Sequence, residues 1–194
     1  LRLVRKISQG VATVESIVSD ILQFGRPRDP VAETVALPGL LRETVELIPD
    51  RAAGRSVRFD VEAAFGVTVI VSDAAMIKRA LLNLLLNAVD AAGATESADG
   101  PRVVIGLREH GADHVVISVS DNGPGVPVEM MDRIFNPFFT TKDRGTGLGL
   151  AIVHQIAEAL GGHVQVTHRN GGGAVFSLCL PRRLKASEAP TTDE

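Results

Sequence analysis

The sequence predicts an α+β domain preceded by one long helix. Three features lead to this expectation: short apolar runs bounded by turn residues, a leucine-rich segment with helical spacing, and two glycine clusters that adjoin such segments. The chain has 194 residues, of which 45% are hydrophobic and 22% charged, which suits one domain of ordinary size with an appendage.

The composition argues against several classes of protein. The net charge is −3, the pI is about 6.0, and Trp and Tyr are absent, so nothing indicates a nucleic-acid partner. No apolar run approaches a membrane span. Cys179 lies in an apolar run, so we expect a buried structural thiol. Because the chain begins with Leu1 and has no signal peptide, we expect a piece of a cytoplasmic protein whose membrane anchor, if any, lies outside it.

Residues 1–24 predict an amphipathic helix that needs a partner. Its apolar residues recur three and four apart, at Val4, Ile7, Val11, Val14, Val18 and Ile21. This spacing is typical of a coiled coil or helical bundle, and one helix cannot bury such a face alone. A helix folded back on its own domain is the alternative. The proline-rich residues 25–38 are expected to be a linker.

The remaining elements follow in order. Pro38 opens a helix that runs to Ile48. The predicted strands are residues 57–61, 67–71, 103–107, 115–119, 163–167 and 174–180, of which 103–107 and 115–119 form a hairpin. A short helix is expected at residues 128–134, a second helix should end at Gly161-Gly162, and residues 182–194 should be a flexible tail.

The helix predicted at residues 73–92 is the most informative, with Asp73 as its N-cap. Asn83, Asn87 and Asp90 are spaced i, i+4 and i+7, so they share one polar stripe. Asn is a poor helix-interior residue, and an amide buried without a partner loses roughly 1–3 kcal/mol. A solvated face explains Asp90 at least equally well. For Asn87 we favour a ligand, because an amide oxygen suits Mg²⁺.

The two glycine clusters together indicate a nucleotide. Residues 121–125, Asp-Asn-Gly-Pro-Gly, follow a predicted strand, and the Asp121 carboxylate there can accept from a base amine. Residues 145–149, Gly-Thr-Gly-Leu-Gly, run into a helix whose first amides can bind phosphate. Each cluster alone is weak: the first is also ordinary hairpin chemistry, and the second matches neither a dinucleotide fingerprint nor a P-loop.

Aromatic and histidine residues add little specificity. Residues 135–139, Phe-Asn-Pro-Phe-Phe, predict a hydrophobic plug, a hinge for the following loop, or both. His154 precedes Glu158 by one turn, which favours a solvated pair. The other histidines, which lack metal-ligand spacing, are His110, His114, His163 and His168.

Four blocks occur in the order of a known family. Residues 83–91 resemble its N box, 121–125 its first glycine box, 135–139 its F box and 145–150 its second glycine box. Over residues 35–181 the chain resembles the C-terminal ATP-binding catalytic domain of bacterial sensor histidine kinases, related to the gyrase, heat-shock chaperone and mismatch-repair ATPases. Residues 1–24 resemble the second helix of the dimerisation bundle. Thr140-Thr141-Lys142 is most similar to the nitrogen-regulatory subtype.

The resemblance implies a two-layer α/β sandwich, with a mixed sheet covered by helices on one face and ATP held between them in a domain of residues 39–181. Asp121 would accept from the adenine amine, Asn87 would bind Mg²⁺, and residues 140–149 would form a lid over the phosphates. The implied catalytic residues are Asn83, Asn87 and Lys142. The implied nucleotide-binding residues are Asn87, Asp90, Asp121, Gly123, Gly125, Phe138, Thr140, Thr141, Lys142, Gly145, Thr146, Gly147, Leu148 and Gly149.

Three departures from the family matter. Hydrolytic relatives carry Glu where Asn83 stands, and Asn cannot take a proton, so fast ATP hydrolysis is not expected. Kinases commonly carry Thr where Ala174 stands. No histidine here is followed by an acidic residue, so the phosphoacceptor would lie upstream, outside this chain.

The implied function is transfer of the ATP γ-phosphoryl group to that histidine, for relay to an aspartate of a response regulator, with the intact protein a homodimer. A nucleotide-responsive module without kinase activity and a conformational ATPase are the alternatives.

Overall fold

A computed structural model describes residues 29–48, 51–52, 55–63, 69–142 and 145–184. The helix expected at residues 1–24, the first part of the expected linker and most of the expected tail lie outside the described residues.

The described elements comprise three α-helices, nine strands and one 3₁₀ turn. The helices are α1 (Leu37–Glu46), α2 (Ala74–Gly93) and α3 (Gly149–Ala159). The strands are β1 (Glu33–Ala36), β2 (Arg51–Ala52), β3 (Arg55–Ser56), β4 (Arg58–Ala63), β5 (Val69–Ser72), β6 (Arg102–His110), β7 (His114–Asp121), β8 (His163–His168) and β9 (Ala174–Pro181). The 3₁₀ turn at Val128–Met130 is shorter than the helix predicted over residues 128–134.

Five strands form the main sheet in the order β4-β6-β7-β9-β8. β4 runs parallel to β6, and the other pairs are antiparallel, so the sheet is mixed. The predicted hairpin is present, with Val103 opposite Asp121 and His110 opposite His114. β1 pairs with β5, and β2 with β3, in two small antiparallel sheets. The predicted α+β class, with helices on one face of a mixed sheet, is confirmed.

The core lies between that face and the helices. Alternate residues of β7 point into it, and Val115, Ile117 and Val119 are fully buried. α2 and α3 pack against each other and against the sheet. Asp73 caps α2 as predicted, since its Oδ1 accepts a hydrogen bond from the Met76 amide at 2.9 Å. Cys179 is buried, and burial raises the pKa of its thiol.

Two boundaries differ from the sequence expectations. Residues 33–36 are not linker: they form β1, whose Val35 is buried, and α1 then begins at Leu37. Residues 182–184 are not tail, because the Leu184 amide donates to Val71 O at 2.7 Å and Arg182 O accepts from the Val71 amide at 2.8 Å. In both cases the segment pairs with a free edge of β5.

Among the described residues, no helix is long and apolar enough to cross a bilayer.

α3 ends where predicted, at the glycine pair. Gly161 has a φ of 72°, and the Gly162 amide returns to Ala157 O at 2.8 Å. A Cβ on Gly162 would overlap the carbonyl oxygen of Cys179 in β9. This position therefore admits only glycine without movement of the backbone.

We predict opposite effects on stability for two glycine substitutions. Gly162→Ala should lower the free energy of unfolding by about 1–3 kcal/mol, because the new methyl group meets backbone that cannot retreat. Gly39→Ala, where nothing lies within 4 Å of the added Cβ in α1, should raise it by about 0.5–1 kcal/mol. Urea unfolding measures both, and a stabilising Gly162→Ala would contradict the packing described here.

Candidate active site

A cleft of about 760 Å³ opens between α2 and the segments that follow β7 and precede α3. The sequence-predicted site residues that line it are Asn83, Asn87, Asp90, Asp121, Gly125, Thr140, Thr141, Lys142, Gly145, Thr146, Gly147 and Gly149. The structure thus brings together residues from three of the sequence blocks and from the loop before the second glycine cluster.

Three residues predicted to contact a nucleotide do not line the cleft. Gly123 is buried, and a Cβ there would overlap Ala91 O, so this glycine permits close packing against α2. Leu148 is 1% exposed and packs in the core, while its amide donates to Thr146 Oγ1 at 3.3 Å. Phe138 is 67% exposed and lies outside the lining. The F-box residue on the cleft wall is Phe139 instead.

Asp121, the last residue of β7, is 2% exposed. Its Oδ1 accepts hydrogen bonds from the amides of Gly123 at 2.9 Å and Ala174 at 3.4 Å. Both bonds end on the same oxygen, and Asp121 lines the cleft, so the other oxygen, Oδ2, can accept a donor from the cleft.

Burial raises the pKa of Asp121, and this effect outweighs the amides of Gly123 and Ala174 and the charge of Arg169, which act in the opposite direction. The carboxylate is therefore less favourable in the ligand-free domain than in water, and a ligand donor would offset part of that penalty. A buried acid with a shifted pKa on the wall of a cleft is typical of a functional site.

The turn between β8 and β9 packs against the backbone of Asp121, a contact that the sequence analysis did not predict although it noted Ala174 there. Gly171, Gly172 and Gly173 all have positive φ, between 88° and 101°. A Cβ on Gly173 would overlap Asp121 O. Arg169 Nη1 donates to Gly172 O at 3.3 Å and helps to hold this turn. The three consecutive glycines were the available sequence signal.

The polar stripe of α2 faces the cleft as predicted. Asn83 Nδ2 donates to Arg79 O at 3.0 Å, and its Oδ1 would lie 3.1 Å from a Cβ on Gly149. Lys142 Nζ donates to Asn87 Oδ1 at 3.1 Å and pairs with Asp90 Oδ2 at 2.9 Å. The lysine thus satisfies the half-buried amide of Asn87.

The two ends of the loop that carries Lys142 pack closely against each other. A Cβ on Gly147, whose φ is 69°, would overlap the backbone of Phe138, and one on Gly145 would overlap Thr140 Oγ1. Phe138 itself has a φ of 65°, which is rare for an aromatic residue. The F box and the second glycine cluster are therefore in direct contact.

Apolar residues form much of the remaining lining, and sequence patterns did not single them out as site residues. They include Leu86, Ala91, Val126, Met130, Ile134, Phe139, Leu150, Ala174 and Phe176. Arg133 stacks over the Phe139 ring, with the guanidinium 5.0 Å from the ring centroid. Phe135 packs edge-on against Phe176 at 6.5 Å, so this part of the segment predicted as a plug packs on the core, whereas Phe138 does not. Such a wall suits a flat aromatic ligand.

The residues present fit Mg²⁺ only together with a ligand. Within the described ranges no group of three or more His, Cys, Asp or Glu could hold a metal ion. Asn87 Oδ1 already accepts a hydrogen bond from a cation, the ammonium group of Lys142. A single amide oxygen beside ligand phosphates and water matches the way Mg²⁺ is commonly held.

His154 is exposed and pairs with Glu158 at 3.3 Å, as the sequence analysis expected of a solvated pair.

Residues 72–184 match the family model of histidine kinase-, DNA gyrase B- and HSP90-like ATPases, which is more than half of the 194 residues. The chain belongs to this family. The family resemblance read from the sequence blocks is confirmed.

Relatives and solved structures agree with the family. Sensor histidine kinase ZraS of Salmonella typhimurium is 35% identical over 165 residues, which are 85% of this chain and 34% of ZraS. Full-length ShkA in complex with AMPPNP is 30% identical, with a TM-score of 0.80 over 93% of this chain and 38% of that one. Histidine kinase ThkA in complex with the response regulator TrrA is 27% identical, with a TM-score of 0.78 over 96% of this chain and 52% of that one. The chain spans about a third of the length of the curated relatives that it matches.

We predict that Asp121→Asn stabilises the ligand-free domain at neutral pH. Since the folded-state pKa of Asp121 is raised, its ionisation destabilises the fold as the pH rises through that pKa, and Asn keeps an oxygen for the two amides. The gain should shrink as the pH falls towards the ordinary Asp value of 3.8. Urea unfolding over a pH series tests this, with the exposed Asp132→Asn as control. A less stable Asp121→Asn at pH 7 would contradict it.

Proposed function

We propose that this chain is the ATP-binding catalytic domain of a sensor histidine kinase, which transfers the γ-phosphoryl group of ATP to a histidine located outside it. The orientation of the buried Asp121 carboxylate, with Oδ1 bound by backbone and Oδ2 left for the cleft, carries the proposal. Family membership and the histidine kinase relatives support it.

The end of the cleft at Asp121 discriminates between adenine and guanine. Asp121 Oδ2 accepts a hydrogen bond from the adenine amine, whereas guanine presents a carbonyl oxygen at that position. Two acceptors would then face each other in a buried site, so the domain prefers ATP to GTP. The AMPPNP in the ShkA structure, an ATP analogue bound by that protein, supports this assignment.

The phosphate end supplies positive charge and metal ligation. Lys142 and the amides at the start of α3, which begins at Gly149, lie on the cleft and bind the triphosphate. Asn87 is the residue that would hold Mg²⁺, and the metal would supply neutralisation of the charge on the transferred group. The chain's own residues position the nucleotide and exclude water rather than form covalent bonds.

The α2 polar stripe favours transfer over hydrolysis. Asn83 stands near Gly149 with its amide nitrogen bonded to Arg79 O, and an amide cannot accept a proton from an attacking water. The γ-phosphoryl group is therefore transferred only when another domain supplies the nucleophile.

The partners follow from this chemistry. The acceptor histidine belongs to a helical bundle outside the described residues, and the intact protein would pair two chains through that bundle. The phosphate passes on to an aspartate of a response regulator, as the ThkA complex with TrrA suggests. We expect the domain to act in the cytoplasm, where ATP is available.

We predict that Asp121→Asn weakens binding of a non-hydrolysable ATP analogue roughly ten- to a hundred-fold, because a donor then faces the adenine amine in a buried site, a loss of about 1–3 kcal/mol. The preference for ATP over GTP analogues should narrow, since the Asn amide can donate to guanine. Calorimetry measures both, with Asp132→Asn as the matched exposed control. Unchanged affinity for the ATP analogue would refute the adenine assignment.

The kinase assignment is tested by mixing this chain with a bundle that carries the acceptor histidine and with γ-labelled ATP. Label on the histidine is the expected result. Release of labelled phosphate alone would indicate a conformational ATPase, and nucleotide binding with neither product would indicate a nucleotide-responsive module.

A further inference from the structure

The ammonium group of Lys142 bridges the phosphate end of the nucleotide-free cleft. It contacts two residues of α2, Asn87 and Asp90, which lie on the same face one turn apart. Lys142 reaches α2 from the opposite side of the cleft, more than 50 positions later in the chain. The contact therefore joins the two walls directly.

The backbone around Lys142 holds it in a local turn. The Lys142 amide donates to Thr140 Oγ1 at 3.1 Å, and its carbonyl oxygen accepts from the Gly145 amide at 3.2 Å. The turn directs the Lys142 side chain towards α2, and the contacts with Asn87 and Asp90 fix the position of its ammonium group. Of the two partners on α2, only Asp90 carries a charge, so it supplies the electrostatic part of the contact.

We propose that Asp90 is a positioning residue that holds Lys142 on Asn87 in the nucleotide-free protein, so that the lysine and the metal-bound nucleotide compete for Asn87 Oδ1. This rests on the proposed function, because the oxygen in question is the one assigned there to Mg²⁺. The proposal changes the role of Asp90 from a ligand contact to an anchor of the residue that contacts the ligand.

Competition follows from charge. Asn87 offers one side-chain oxygen, and although that oxygen has two lone pairs, a metal cation bound to it would repel an ammonium group on the same atom. Once displaced, Lys142 keeps its charge and is free to reach the phosphates. Asp90, a like charge to those phosphates, gains nothing by approaching them.

The exposure of the pair suits a contact that must open. The side chains of Lys142 and Asp90 are 45% and 63% exposed, so water and salt screen their attraction. Exposed pairs of this kind shift an equilibrium by roughly two- to five-fold. A nucleotide can therefore release Lys142 with little loss of affinity.

Hydrogen exchange in the nucleotide-free protein tests the anchor. Asp90→Asn should speed exchange of a peptide that spans residues 139–147 by roughly two- to five-fold. Asp90→Glu should restore the protection of the wild-type protein. The matched control is Glu43→Gln, which removes a similarly exposed ion pair between Glu43 of α1 and Lys78 of α2. Unchanged exchange in Asp90→Asn would overturn the proposal.

The Mg²⁺ dependence of analogue binding tests the competition. Calorimetry at a fixed concentration of a non-hydrolysable ATP analogue should give a Mg²⁺ midpoint that is roughly two- to five-fold lower in Asp90→Asn than in the wild type. A higher midpoint would make Asp90 a metal or phosphate ligand and overturn the proposal. If no variant binds the analogue, the proposed function fails, and the exchange comparison decides on its own whether Asp90 anchors Lys142.

Discussion

The rest of the site depends on one buried carboxylate at the end of a central strand. Asp121 terminates β7 in the layer between the sheet and the helices, where an ionised group is unfavourable. Two backbone amides, those of Gly123 and Ala174, make the charge tolerable. Because these amides come from two different turns, the carboxylate fixes the first glycine box and the β8–β9 turn relative to each other.

The two ends of the cleft are held by different kinds of contact. At the Asp121 end the supporting groups are backbone amides and glycines in van der Waals contact, which have no side-chain freedom to lose. At the other end the ammonium of Lys142 rests on exposed side chains, which reorient readily. A rigid end and an adaptable end are what the proposed function requires, since the base of ATP is constant while its phosphates react and leave.

Local sequence signals predicted the parts of the fold that local interactions determine. The spacing of α2, the Asp73 cap and the glycine stop of α3 each follow from neighbours within about one helical turn. The β1 pairing and the junction at residues 182–184 depend on the free edge of β5, which no local pattern reveals. Likewise, a motif identified Phe138 and Leu148 as members of the site, but only the tertiary fold determines that one faces solvent and the other the core.

The two carboxylates of the cleft differ in how a neighbouring cation acts on them. Asp90 is paired directly with the ammonium of Lys142, whereas the hydrogen bond of Arg169 goes to Gly172 O rather than to Asp121. A guanidinium bonded to Asp121 would hold it ionised but would also occupy the oxygen that the two backbone amides leave unbonded. Arg169 instead favours the ionised form through space and leaves that oxygen open. Burial leaves a penalty on the Asp121 charge that a hydrogen-bond donor in the cleft would offset, and the base amine of the proposed function is such a donor.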